Sequence, residues 1–169
     1  MKTNPKKTKK KAVAKKKARP SKRTYLREIE IRYRKRNVTS KSTATKPIKG
    51  AIQVVKLFSD LQSETKEKLI AISLDTKLKI ICFEIVAIGS VDAIYLKPFE
   101  AIRTAIAVNA SGVIIVHNHP SGNPKPGADD KLFTKALKKI TEIGGMKFHG
   151  HIIIGDGTFF SFTDEGLLK

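Results

Sequence analysis

An apolar run that ends in two histidines is the sequence feature that most restricts how this chain can fold. Residues 113–116 read VIIV, His117 follows directly, and His119 stands two residues further on. A short run of β-branched residues predicts a buried strand, and alternation along a strand sends both imidazoles to the same side. A loop with three prolines and two glycines, residues 120–127, then leads to Asp130 at the entrance of a predicted helix. The pattern therefore predicts a strand, a rigid loop and a helix around one site.

Two imidazoles and one carboxylate are the protein ligands of catalytic zinc sites in which water takes the fourth position. His117, His119 and Asp130 are therefore candidate metal ligands. The alternative is that the histidines are ordinary loop residues and that Asp130 only caps the helix, which Asp does well. Residue types and spacing leave both interpretations open, because His-x-His alone is a weak signal.

Hydrophobic periodicity predicts further helices and strands on both sides of this segment. Helices are predicted at residues 49–62, 98–109 and 132–143, and further strands at residues 67–74, 79–88, 151–155 and 158–162. The predicted buried stripes are Phe99, Ile102 and Ile106 in the second helix and Leu132, Phe133, Ala136, Leu137, Ile140 and Ile143 in the third. Because helices and strands mix without a repeating βαβ unit, we predict an α/β domain with an α+β layered architecture.

Basic residues are concentrated near the N-terminus. The chain has 169 residues, with 34 Lys and Arg against 15 Asp and Glu, a net charge of +19. Residues 1–40 hold 17 basic and 2 acidic residues, a net of +15, whereas residues 41–169 hold 17 and 13, a net of +4. Residues 1–23 contain no acid and too few apolar side chains to offset the entropy of ordering. We therefore predict a basic, largely disordered arm and linker at residues 1–45 and a folded domain at residues 46–169.

So dense a cationic segment attracts polyanions, and we expect non-specific contact between residues 1–36 and nucleic acid phosphates. The alternatives are a solubilising tail or a targeting signal. Within this segment, residues 25–36 alternate apolar and charged side chains. That alternation predicts an edge strand whose basic residues discourage pairing with other chains.

Cysteine content and hydropathy exclude two classes of protein. Cys82 is the single cysteine, so no internal disulfide can form, and a reducing compartment is expected. No apolar run approaches the roughly 20 residues that span a bilayer, and no apolar core of a signal peptide follows the basic N-terminus. We therefore expect a soluble, cytoplasmic protein without a membrane partner.

The sequence HNHPSG, followed by a Pro-rich turn and an Asp eleven residues after the second His, resembles the metal-binding motif of JAMM (MPN/JAB-like) metalloproteases. In particular, it is similar to the C-terminal domain of the RadC family. The family pattern is a Glu on an early strand, then His-x-His, seven residues, Ser, two residues and Asp. The resemblance extends over about residues 48–168 and includes the terminal segment HIIIGDG.

The resemblance implies a JAB/MPN-like mixed sheet flanked by helices. It implies that His117, His119 and Asp130 bind Zn²⁺ and that Glu67 is the catalytic acid/base and not a ligand. The implied reaction is the hydrolysis of a peptide or isopeptide bond in a peptide or protein substrate. Without the resemblance, Glu67 would be interpreted as a solvated charge at the start of a strand.

The chain also departs from the family pattern. Glu64 and Glu84 are weaker candidates for the acid/base, and Gly127 stands where the family has its Ser, so an oxyanion donor is missing. The helix-hairpin-helix-like region that usually precedes this domain does not fit into the first 48 residues. His149 and His151 form a second His-x-His, for which we favour strand-end polar residues over partners of a zinc ligand. The alternative function is a nucleic-acid-associated DNA repair accessory protein whose metal site is structural or weakened.

Overall fold

The computed structural model describes residues 29–35, 44–89 and 96–168. Most of the predicted basic arm therefore lies outside the described residues. Residues 29–35, part of the predicted edge strand, form neither helix nor strand, and Ile29, Ile31 and Tyr33 are exposed. The strand prediction is wrong for these residues, because alternation supplies an apolar side but no hydrogen-bonded partner strand. Residues 44 and 45, at the end of the predicted linker, are helical.

A five-stranded mixed sheet forms the centre of the domain. Its strands are β1 (Lys68–Leu74), β2 (Ile80–Ile88), β3 (Gly112–Asn118), β4 (Lys147–Ile154) and β5 (Phe159–Ser161). Their spatial order is β2-β1-β3-β4-β5. β3 and β4 are parallel, and the other neighbours are antiparallel. The predicted mixed sheet is confirmed, and all seven residues of β3 are buried in it.

Helices cover both faces of the sheet. They are α1 (Ala51–Leu57), which continues into a 3₁₀ helix (Ser59–Ser63), α2 (Pro98–Ala107) and α3 (Ala128–Ile143). On one face of the sheet, Val54 of α1 and the following Phe58 pack with Ile72 of β1. On the opposite face, Ile102 of α2 and Leu137 of α3 belong to a second cluster with Ile115 of β3. The predicted α+β layered architecture is confirmed. None of the helices in the described ranges is long and apolar enough to cross a membrane.

The buried side of α2 differs from the predicted stripe. Ala101, Ile102 and Ala105 are buried, whereas Phe99 and Ile106 are exposed. Two alanines allow the helix backbone to lie close to the sheet, since protein interiors are packed without gaps. The larger side chains therefore stand at the margins of the contact, and only Ile102 of the predicted stripe lies in its centre.

The buried side of α3 also differs. Thr134, Leu137 and Thr141 are buried, whereas Leu132 and Ile143 are 67% and 76% exposed. Both threonine hydroxyls donate to backbone carbonyls four residues earlier in the helix, so burial leaves them satisfied. A stripe drawn from hydrophobic residues alone therefore misses two of the three buried positions.

Candidate metal centre

The end of β3 brings both histidines of the His-x-His motif to one place. β3 runs antiparallel to β1, in which Leu69 lies opposite His117, so that continuation of the register puts Glu67 opposite His119. The backbone N–H of His119 donates to the carbonyl of Ile154 at 3.0 Å, which extends the pairing with β4 beyond the last residue of β3. The chain then turns through Gly122, whose positive φ of 81° a residue with a Cβ rarely adopts.

Asp130 completes a triangle of donor atoms from the first turn of α3. Nε2 of His117 lies 3.0 Å from Nε2 of His119 and 3.2 Å from Oδ1 of Asp130. Nε2 of His119 lies 3.5 Å from Oδ2 of Asp130, which also accepts a hydrogen bond of 2.8 Å from the N–H of Gly127. A tetrahedral metal with bonds of about 2.0–2.1 Å would separate its ligands by about 3.3 Å. These three residues could therefore hold a metal ion.

Protonation of His119 supports the same interpretation. Its Nδ1 lies 2.8 Å from the carbonyl oxygen of Asn123. A carbonyl only accepts, so Nδ1 carries the proton in the neutral ring and Nε2 directs a lone pair towards His117 and Asp130. Ring nitrogens and a carboxylate that converge in this way are held together by a shared proton or by a metal ion. The set of donors fits a metal ion for that reason.

The electrostatics of the triangle favour positive charge. The neighbouring Asp130 carboxylate raises the pKa of His119. Burial alone would raise the pKa of Asp130, but the adjacent His117 and His119 rings outweigh it and hold that pKa far below its usual range. Asp130 is therefore the anionic member of the group.

Glu67 lies at the edge of this triangle. Its Oε1 is 3.8 Å from Nε2 of His117, and burial raises the pKa of its carboxyl group. The two weaker candidates are engaged elsewhere: Glu64 pairs with Lys68, at 2.5 Å from Nζ, and Glu84 accepts a hydrogen bond from the hydroxyl of Thr104. Of the three carboxylates, Glu67 is thus the one at the candidate metal centre.

Asn118, between the two histidines, holds the backbone on both sides of Glu67. Its Oδ1 accepts from the N–H of Lys68 at 2.9 Å, and its Nδ2 donates to the carbonyl of Lys66 at 3.1 Å. The carbonyl of Glu67 itself accepts from the N–H of Gly89 at 2.9 Å. Sequence reasoning did not single out Asn118. Its position at the end of a buried strand, where the ladder of backbone bonds stops, is the signal that could have found it.

His151 is the second residue that sequence reasoning misjudged. It lies within β4, 0% exposed, with its ring stacked on Phe162 at a centroid distance of 5.1 Å. Its Nε2 is 2.7 Å from Nδ1 of His117. Burial, aided by the nearby His117 ring, keeps the pKa of His151 well below its usual range. The strand-end interpretation is wrong for His151, because the parallel pairing of β3 with β4 brings it beside His117. His149 is half-buried and lies elsewhere on β4.

A cleft of about 990 Å³ leads to the triangle. Its walls include the exposed Leu132 and the partly buried Phe133 of α3, and Gly127 lies at the start of that helix. Gly127 has φ and ψ of −73° and −179°, an extended conformation open to any residue. A Cβ there would lie 3.5 Å from Oδ2 of Asp130, an ordinary contact. A serine would therefore fit where the family has one.

These features define a class of protein: an α+β domain in which His-x-His at a strand end, Asp at a helix start and Glu beside a neighbouring strand surround a candidate metal centre. The chain belongs to the RadC-like JAB domain family, whose family model matches residues 48–167. The resemblance predicted for residues 48–168 is thereby confirmed.

Relatives in several organisms are similar to this chain. A "UPF0758 protein" of Aquifex aeolicus is 38% identical over 121 residues, which cover 72% of this chain and 52% of the relative. A protein of the same name from Thermotoga maritima is 40% identical over 119 residues, 70% of this chain and 54% of the relative. Another, from Methanosarcina mazei, is 40% identical over 113 residues, which cover 67% of this chain and 49% of the relative. The chain spans about half the length of these curated relatives, whose names state no activity.

Proposed function

We propose that this protein is a zinc-dependent metallohydrolase of the JAMM type that cleaves peptide or isopeptide bonds. The observation that carries the proposal is the convergence of the His117, His119 and Asp130 donor atoms within 4.8 Å, with Glu67 beside them. Nitrogen and oxygen donors at tetrahedral spacing suit zinc, and three protein ligands leave a position for water or substrate. Membership of the RadC-like JAB family supports the same reaction class.

Each residue has a distinct part in the proposed reaction. His117, His119 and Asp130 would hold the zinc ion, which supplies Lewis acidity that lowers the pKa of water and polarises a carbonyl oxygen. Oε1 of Glu67 takes the proton of the attacking water and delivers it to the leaving nitrogen. Gly127 offers no hydroxyl to the developing oxyanion, and loss of one such donor lowers a rate by about 100-fold or more. A slow hydrolase is therefore expected.

Metal analysis combined with a hydrolysis assay tests the proposal. The full chain, purified under reducing conditions without chelators, should contain about one zinc per molecule. His117→Ala should lose the metal, whereas Glu67→Gln should retain it and hydrolyse a quenched fluorescent peptide library, with isopeptide-linked members, about 100-fold or more slowly. Glu64→Gln is the matched control, since Glu64 pairs with Lys68. Absence of zinc from the parent protein, or full activity in Glu67→Gln, would refute the proposal.

We also propose that residues 1–36 contact nucleic acid without sequence preference. The supporting observation is the net charge of +15 in residues 1–40. Contacts with phosphates release counterions, so affinity for a random DNA or RNA duplex should fall steeply with salt. Deletion of residues 1–36 should abolish this binding and leave zinc content unchanged. Binding that is independent of salt, or that survives the deletion, contradicts the proposal.

A further inference from the structure

A buried chain of polar contacts runs from α3 to the candidate metal centre. The hydroxyl of Thr134 lies 2.5 Å from the carbonyl oxygen of Asp130 and 2.6 Å from Nδ1 of His151. Nε2 of His151 then lies 2.7 Å from Nδ1 of His117. All three side chains are at most 2% exposed, so water does not compete for these contacts.

The hydrogen bonds of this chain have one consistent direction. The single hydroxyl proton of Thr134 must point at the carbonyl of Asp130, because two oxygen acceptors at that distance need a proton between them. The same hydroxyl then accepts from His151, so the proton of His151 sits on Nδ1. Nε2 of His151 is left as an acceptor, and Nδ1 of His117 donates to it. The proton of His117 is thereby held away from Nε2, the atom that faces Asp130.

We propose that Thr134 and His151 are positioning residues that hold His117 in the tautomer in which Nε2 can bind a metal. The inference rests on the proposed metal site. Metal-binding histidines generally donate their other ring N–H to a fixed acceptor, which sets both the tautomer and the ring orientation. His119 uses the carbonyl of Asn123 for this purpose, which can only accept. His117 uses an imidazole, which can also donate, so His151 needs Thr134 to fix its direction.

Thr134→Val should reverse the direction of the chain. A methyl group would then face Nδ1 of His151, and the proton of His151 would gain a partner by moving to Nε2, from which it donates to Nδ1 of His117. His117 would carry its proton on Nε2, where the metal should bind. We expect a loss of zinc affinity of about 10–100-fold, the range measured when such outer partners are removed. Thr134→Ser keeps the hydroxyl and should behave like the parent protein.

The helix offers a matched control in Thr141. Its side chain is buried and its hydroxyl donates to the carbonyl of Leu137 at 2.9 Å, but it has no contact with His151 among the described hydrogen bonds. Thr141→Val therefore removes the same group from the same helix. Its zinc affinity should equal that of the parent, so any difference from Thr134→Val does not come from a general loosening of α3.

Two measurements on the full chain test the inference. Zinc affinity is measured by competition with a chromophoric chelator. The tautomer of His117 is measured in the metal-free protein at about pH 8.5, where an ordinary imidazole is neutral, from long-range ¹H–¹⁵N correlations assigned with His117→Gln. We expect a proton on Nδ1 in the parent, Thr134→Ser and Thr141→Val, and on Nε2 in Thr134→Val. A proton on Nε2 of His117 in the parent, or unchanged tautomer and affinity in Thr134→Val, overturns the inference.

Failure of the metal proposal and failure of this inference give different results. A parent protein that binds no zinc refutes the proposed function, while the tautomer of its His117 still decides whether Thr134 and His151 set the proton. A parent that binds zinc, with Thr134→Val indistinguishable from it, refutes the positioning role alone. Should Thr134→Val not fold, the spectrum of the parent decides.

Discussion

Asn118→Ala is the substitution that most directly tests how the centre is assembled. Asn118 makes two hydrogen bonds at the start of β1, one to the N–H of Lys68 and one to the carbonyl of Lys66, which precedes the strand, and is itself 1% exposed. These bonds fix the backbone on either side of Glu67. Alanine removes both, while the rings of His117 and His119 keep their own partners. The substitution should therefore weaken the fold and displace Glu67 without abolishing metal binding.

The magnitude follows from the exposure of the two backbone groups. Lys68 is half-buried, so the loss of its acceptor should cost about 1–2 kcal/mol, whereas the carbonyl of exposed Lys66 can turn to water at a cost of about 0.5–1 kcal/mol. The free energy of unfolding should fall by about 1.5–3 kcal/mol, and Tm by roughly 5–10 °C for a domain of this size. A displacement of Glu67 by about 1 Å would lower the rate of a hydrolase about 100-fold.

Thermal unfolding and amide hydrogen exchange measure the two effects. Exchange at the Lys68 amide should accelerate in Asn118→Ala. Asn118→Asp keeps an acceptor for Lys68 but sets an oxygen against the carbonyl of Lys66, so this nearly isosteric change should destabilise the protein at least as much. Ser161→Ala is the control, since it removes one hydrogen bond to backbone, from the N–H of Asp164, in another part of the fold. Parent-like Tm and Lys68 exchange in Asn118→Ala would show the reasoning to be wrong.

Five further substitutions test three separate parts of the structure. Gly127→Ser should raise the rate of peptide hydrolysis by up to about 100-fold by supplying an oxyanion donor, whereas Gly127→Ala should not, as steady-state kinetics would show. Leu137→Ala should lower the free energy of unfolding by about 2–5 kcal/mol in urea titrations, because Leu137 is buried. Leu132→Ala should lower it by less than about 0.5 kcal/mol, because Leu132 is exposed. Equal effects would contradict the assignment of the buried side of α3. Gly155→Ala should cost at least about 2 kcal/mol, since its Cβ would overlap the carbonyl oxygen of Gly122, and a parent-like Tm would contradict this contact.

The strands of the sheet were predictable because their signals are local, whereas the local signals made the ligand triangle only a candidate, which the resemblance to a family then favoured. The run before His117 is uniformly apolar and short, which indicates a buried strand without knowledge of its neighbours. The spacing of His117, His119 and Asp130 follows from a strand, a Pro-rich loop and a helix start that are contiguous in sequence. Glu67, about fifty residues earlier, could be identified only through the resemblance to a family, since nothing in its own surroundings separates it from Glu64.

The residues that sequence reasoning misjudged depend on contacts between distant elements. His151 is a strand residue that stands between Gly150 and three isoleucines, and its role follows from the parallel pairing of β3 with β4, in which it lies opposite Ile115. Thr134 resembles a surface residue on a helix until its neighbour on β4 is known. The exposed Leu132 shows the converse case, in which an apolar residue lines a cleft and not the core. Hydrophobic periodicity shows which face of a helix carries apolar residues. It does not show which side chains of the neighbouring strands pack against that face.

The tripeptide at the end of β3 sends each of its side chains to a different neighbour. His117 is held from β4 through His151, Asn118 is bonded to β1, and His119 is held by the loop at Asn123. The central residue of His-x-His is therefore as constrained as the two histidines, although it is not one of the three candidate metal ligands. Its amide can satisfy a donor and an acceptor at once, which no aliphatic side chain and no carboxylate can do. Geometry at the centre thus depends on a residue that a ligand pattern leaves unspecified, and substitutions of Asn118 should disturb Glu67 before they disturb the metal.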